Sequence, residues 1–116
     1  MFNIKNILEN IQNVSQYFSI FNNMGITQPY SFALQAVFPN PFNPITTIDY
    51  EVGNESIVEL SIINLNGQTV ENLIHSVMKP GQYSVNWNAK DIPSGLYLVR
   101  MMSLQYSATQ KIILLK

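Results

Sequence analysis

The chain has no cysteine and one histidine among its 116 residues. Without cysteine there is no disulfide framework, thiolate zinc site or thiol nucleophile. A single imidazole cannot serve metal motifs that need two. Charge is scarce too: 6 Lys plus Arg face 7 Asp plus Glu, and charged residues make up 11%, against about 25% in ordinary soluble domains. A net charge of −1 supplies no basic field to neutralise phosphates, which excludes nucleic acid as an expected partner. No apolar run approaches the roughly 18 residues that cross a bilayer. These absences point away from an enzyme, and no cofactor or small-molecule substrate is expected.

What is present is an ordinary hydrophobic share of 47%, enough to build a core, in a length that holds about one domain. Asn, Gln, Ser and Thr take the place of the missing charge. Such an uncharged polar surface is common in secreted and surface-exposed β proteins. Residues 1–24 read differently from the rest. Ile4, Ile7, Leu8, Ile11, Val14, Phe18 and Phe21 recur at helical spacing and predict an amphipathic helix. The stretch has neither the apolar block nor the small-residue cleavage site of a secretory signal, and Lys5 is its only cation. Residues 1–28 are expected to be a short amphipathic N-terminal helix and linker, or a remnant of a region upstream.

Prolines 39, 41 and 44 make Pro39–Pro44 a stiff, non-helical lead-in segment. After Ile45 the hydrophobic period becomes two. Ile48, Tyr50 and Val52 alternate with Thr47, Asp49 and Glu51, and Val58, Leu60 and Ile62 alternate with Glu59 and Ser61, each the pattern of a half-buried strand. The alternation blurs at Ile63-Asn64-Leu65, which predicts a bulge or burial on both faces. Asn66-Gly67 predicts a type I′ hairpin turn, and Gly53-Asn54 and Pro80-Gly81 predict further turns, with Gly81 at positive φ. Strands follow near 68–77, 83–88, 96–102 and 109–115. A further strand fits Phe32–Phe38. Short antiparallel strands with turns this frequent predict an all-β, seven-stranded antiparallel sandwich of immunoglobulin type. Ile48, Tyr50, Val58, Leu60, Ile62, Val85 and Trp87 are its expected core.

No catalytic set can be assembled from these residues. His75 and Ser76 are neighbours, and neighbours on a strand point to opposite faces. Asp49 and Glu51 share a face, but the sequence has no calcium-loop spacing around them. Trp87 could stack on a sugar, yet Tyr83 and Val85 in phase with it favour a place in the core.

Ala36-Val37-Phe38-Pro39-Asn40-Pro41-Phe42-Asn43-Pro44 followed by Thr46-Thr47-Ile48-Asp49-Tyr50 resembles the opening of a type IX secretion system type A C-terminal sorting domain. Gly67-Gln68-Thr69-Val70, Lys79 to Trp87, Ser94-Gly95-Leu96-Tyr97, Arg100 and Lys111 to Lys116 resemble the family's later motifs in the same order. The resemblance spans Pro29 to Lys116. It implies an immunoglobulin-like sandwich, residues 29–116, acting as a sorting signal without chemistry of its own. Such a signal directs an attached cargo across the outer membrane and is typically cleaved off. The implied partners are the outer-membrane secretion machinery and a sortase-like cysteine peptidase, and a monomer is expected. The implied localisation is the periplasm in transit to the outer-membrane surface or the exterior. Family members follow a signal peptide and a long cargo, where this chain has residues 1–28. The residues expected to carry the signal are Pro39, Asn40, Pro41, Phe42, Asn43, Pro44, Ser94, Gly95, Tyr97, Lys111 and Lys116. Asn66, Gly67, Pro80, Gly81 and Trp87 are expected as structural turns and core. The competing expectation is an immunoglobulin-like carbohydrate- or protein-binding module of a cell-surface protein, which would present a patch of exposed aromatics.

Overall fold

A computed structural model describes residues 30–116; the helix expected in residues 1–24 lies outside them. The described chain forms seven strands: β1 (Ala33–Phe38), β2 (Ile45–Val52), β3 (Ser56–Ile63), β4 (Thr69–Met78), β5 (Gly81–Asn88), β6 (Gly95–Met102) and β7 (Ser107–Leu114). They build two sheets, a three-stranded one in the order β1-β2-β5 and a four-stranded one in the order β4-β3-β6-β7. All strand pairs are antiparallel. This is an all-β sandwich in which the fourth strand joins the third, rather than the sheet holding the first, second and fifth as in constant-type immunoglobulin domains.

Periodicity explains the packing. Along β2, Thr46, Ile48, Tyr50 and Val52 are buried while the residues between them are not. On β3, Val58, Leu60 and Ile62 face them and are 0% exposed. Tyr97, Val99 and Met101 of β6 and Ile112 and Leu114 of β7 complete the filling, with Trp87 and Phe42 at one end. Val85 departs from expectation and is only half-buried, because β5 is a sheet edge with no neighbour on one side among the described residues. The blurred alternation at the end of β3 has both predicted causes. The β3–β4 register shifts between Ile62 and Ile63, and Ile63 is buried on the outer face.

Two turns differ from their sequence reading. At Asn66-Gly67 only the glycine has positive φ, +82°, so the turn is not type I′. The Gly67 N–H bonds to the Asn64 carbonyl at 3.0 Å and the Asn64 N–H to the Gln68 carbonyl at 2.9 Å. This is the longer hairpin loop in which a left-handed glycine follows a turn through Leu65 and Asn66. The Asn64 side chain makes that longer loop favourable, its Oδ1 accepting the N–H groups of both Asn66 and Gln68. Pro80-Gly81 does not close a hairpin either. β4 and β5 lie in different sheets, so the step carries the chain across the sandwich, and Gly81 opens β5 at φ +157°, close to extended. Gly53-Asn54 makes the same kind of crossing from β2 to β3.

The chain's direction sorts the loops into two groups. The β1–β2, β3–β4 and β5–β6 connections and the end of β7 lie at one end of the sandwich, called here the upper end. The β2–β3, β4–β5 and β6–β7 connections lie at the other.

Candidate functional site

Pro39–Pro44 is not a lead-in to the domain. It connects β1 to β2 and runs along the outer side of β7 as a strap. Phe42 forms a parallel bridge with Leu114: its N–H bonds to the Ile113 carbonyl at 2.9 Å, and its carbonyl receives the Leu115 N–H at 3.0 Å. One step earlier the Asn40 side chain extends the ladder. Its Nδ2 donates to the Lys111 carbonyl and its Oδ1 accepts the Ile113 N–H, each at 3.0 Å. The Asn40 amide turns one of its N–H groups and its carbonyl to the same side, as a single residue of a parallel strand turns its backbone N–H and carbonyl, so Asn40 takes the place of a backbone residue where proline on either side supplies no N–H. The strap is anchored at both ends. Thr46 Oγ1 donates to the Pro39 carbonyl at 2.7 Å, and the Ala89 N–H donates to the Pro44 carbonyl at 2.9 Å.

Phe42 is the plug beneath the strap. It is 2% exposed and its ring lies 5.5 Å from that of Trp87, which in turn meets Tyr97 edge-on at 6.4 Å. Trp87 is 1% exposed, so its face is covered by protein and presents nothing to a sugar. The Tyr97 hydroxyl donates to the Pro93 carbonyl at 2.6 Å, fixing the β5–β6 connection over the aromatic cluster. Tyr83 repeats the device at the lower end with the Lys79 carbonyl at 2.7 Å. In both cases the tyrosine stands two residues after the glycine that opens its strand, and its ring lies where a side chain on that glycine would come into ordinary contact with it. The resulting corners resemble the tyrosine corner of immunoglobulin-type sandwiches. The repeated Gly-x-Tyr of Gly81–Tyr83 and Gly95–Tyr97 was the sequence signal for it.

The chain's last residues close this end. The Lys116 N–H donates to Ser94 Oγ at 3.0 Å and its Nζ to the Lys90 carbonyl at 2.6 Å. Gly95 pairs with Leu114. Lys111 pairs with Leu98 and is exposed on the outside of β7. Thus Pro39, Asn40, Phe42, Pro44, Ser94, Gly95, Tyr97 and Lys116, scattered along the sequence, come together at the upper end, whereas Lys111 stands midway along β7 with its carbonyl held by Asn40. Pro41 and Asn43 are exposed on the strap itself. Asn66 and Gly67 share this end without touching the strap, whereas Pro80 and Gly81 lie at the lower end. Trp87 belongs to the core beneath.

Chemistry-bearing groups are dispersed. His75 faces outward opposite Glu59 on β3, with Ser76 exposed beside it. Asp49 and Glu51 lie on the outer face of the three-stranded sheet and bond to Ser84 and Gln82. No group of three or more His, Asp or Glu among the described residues could hold a metal ion. One titrating group is clearly displaced: burial, and secondarily the neighbouring Tyr83, push the Tyr50 phenol above its ordinary value of 10.0.

A similar fold occurs in PorZ, an essential bacterial surface component of the type-IX secretion system of human oral-microbiomic Porphyromonas gingivalis. The match has a TM-score of 0.51 at 24% identity and covers 70% of this chain and 11% of that one, so this chain corresponds to about a tenth of that protein's length. No curated protein sequence matches this one. The family model described as the secretion system C-terminal sorting domain matches residues 36–115, from within β1 to the residue after β7. The chain belongs to that family of sorting domains.

Proposed function

We propose that residues 29–116 form a non-catalytic sorting signal that directs an attached cargo protein across the outer membrane by the type IX secretion system. Recognition takes place at the upper end, and a sortase-like cysteine peptidase then removes the domain. Family membership supports the general reading. The observation that carries the finer one is the convergence at one end of Asn40, Ser94, Tyr97 and Lys116, with Asn40 reaching down to the Lys111 carbonyl. Lys90 and Lys116 stand at that end and Lys111 is exposed midway along β7; charges at an interface set docking orientation and on-rate more than affinity. A binding module for carbohydrate is less well supported. Trp87 is inside, and the exposed aromatic rings Tyr30 and Phe38 lie at opposite ends of β1.

The test is export of a reporter carried behind a signal peptide and ahead of this chain, in a host with a compatible type IX system. Reporter is expected outside the outer membrane with the whole chain and equally with residues 29–116. Deleting Ile112–Lys116 would remove core residues 112 and 114, so the informative variant is Lys111→Gln with Lys116→Gln, which leaves the core intact. This variant is expected to fold and to leave the reporter in the periplasm. Failure of the unaltered chain to export would defeat the sorting role. Full export by the folded double variant would defeat the assignment to the lysines.

A further inference from the structure

A sandwich of two open sheets has four edges, here β1, β5, β4 and β7, and each is a template for an added strand unless something blunts it. Three of them are blunted. β7 is covered by the strap from Lys111 to Leu115. β1 is bulged between Leu34 and Val37, its Leu34 N–H is taken by the Tyr106 hydroxyl, and its Leu34 and Gln35 carbonyls by Gln110 Nε2. β4 carries two extra residues, Leu73 and Val70, at the register shifts opposite β3, and bulges of this kind twist an edge away from further pairing.

β5 has no such device. It pairs with β2 without a shift from Ile45 opposite Asn88 to Val52 opposite Gly81. Between Gly81 and Asn88 it contains no proline and no charged side chain. None of the described residues pairs with its other side. Its inward Tyr83 and Val85 are only half-buried, and Leu73, Ile74 and Met78 of β4, an edge of the facing sheet, are likewise partly covered. A strand laid against β5 gains a backbone ladder, and its alternate side chains fall on this apolar seam, the mode of strand addition.

We infer that β5 is an interaction edge of this protein and that its occupant is β5 of a second copy, paired antiparallel about a two-fold axis. Self-pairing sets residues of one strand against the same strand reversed, which repels when the strand carries charge. β5 presents Gln82, Ser84, Asn86 and Asn88 outward and Tyr83, Val85 and Trp87 inward, so nothing repels and the apolar alternation is in phase with itself. The two three-stranded sheets then become one continuous sheet in the order β1-β2-β5-β5-β2-β1, and the interface is isologous.

The experiment is sedimentation equilibrium of the whole chain up to about 1 mM, the range in which small interfaces associate. The expected result is a mass rising from monomer towards dimer. Ser84→Lys with Asn86→Lys sets lysines against one another across the axis and is expected to weaken association about tenfold or more, whereas His75→Lys on β4 leaves it unchanged. Amide exchange of the unaltered chain gives a reading that needs no variant: outward-pointing β5 amides become protected as concentration rises, and β4 amides do not. A monomer at every concentration overturns the inference. So does a dimer indifferent to the β5 lysines, or protection that rises on β4 instead of β5.

Discussion

Along the β1–β7 margin the two sheets are joined by side chains bonded to backbone far along the chain, whereas along the β4–β5 margin they meet through apolar contact, the Tyr50 hydroxyl over Met78 at 3.5 Å and the local bond from Tyr83 to the Lys79 carbonyl. On the first margin Asn40 reaches residues 71 and 73 positions further along the chain, and Gln110 reaches back 76 and 75. The difference teaches that the terminal strand is not an autonomous tail. Its outer hydrogen bonds are supplied by the segment that precedes β2, so the first and last family motifs are one structural unit.

Removing the plug on the closed margin should have the largest effect. Phe42→Ala takes a large buried ring from against Trp87 and should cost about 3–5 kcal/mol. That is a large part of the roughly 4–13 kcal/mol available to a domain of this size. Val77→Ala, on the open margin at 62% exposure, should change the unfolding free energy read from urea denaturation by no more than about 0.5 kcal/mol. Similar midpoints for the two variants would erase the contrast.

A smaller break is Asn40→Ala. It leaves the Lys111 carbonyl and the Ile113 N–H to water, at a cost of about 1 kcal/mol. The sharper readout is amide exchange, where Ile113 should lose protection while the β6-facing amides of β7 keep theirs. Unchanged exchange at Ile113 would mean that the Asn40 amide does not hold this edge of β7.

The smallest effect belongs to the open margin and depends on pH. Because the Tyr50 phenol is raised in the folded protein, the folded state holds its proton after the unfolded chain has lost it. Stability from this group is therefore complete below about pH 9 and falls as pH rises past 10. Tyr50→Phe should make the alkaline decline measurably shallower. Near neutrality it should cost less than about 1 kcal/mol, since the hydroxyl donates only to a thioether, a weak acceptor. An alkaline decline as steep in the variant would place the titrating group elsewhere.

Much of the sandwich was legible because alternation reports burial directly. β2 buries every second residue as its sequence alternates, and the core residues predicted on β2 and β3 are all inside. What alternation does not report is which sheet a strand joins. Gly53-Asn54 and Pro80-Gly81 look like hairpin punctuation yet carry the chain between sheets, and Val85 reads like a core residue although its strand is an edge. The turn at Gly67 was placed correctly and typed wrongly, because Asn64, outside the dipeptide, decides the loop. The candidate site was legible as a list of motifs but not as a place. Nothing local in Pro39–Pro44 tells that the Asn40 amide will stand in for a residue's backbone groups beside a strand some seventy residues away.

The Asn40 amide also bears on how the folded chain ages. Spontaneous deamidation of asparagine proceeds when the next residue's backbone nitrogen attacks the side-chain carbonyl, and that nitrogen must carry a hydrogen. Asn40 and Asn43 each precede proline, whose nitrogen has none, so that route is closed along the strap. Asn66, exposed and followed by the unhindered Gly67, is where the reaction should begin. The amide that holds the terminal strand is thereby kept from acquiring a carboxylate through this chemistry, while an asparagine at the same end that holds no part of that strand is left open to it.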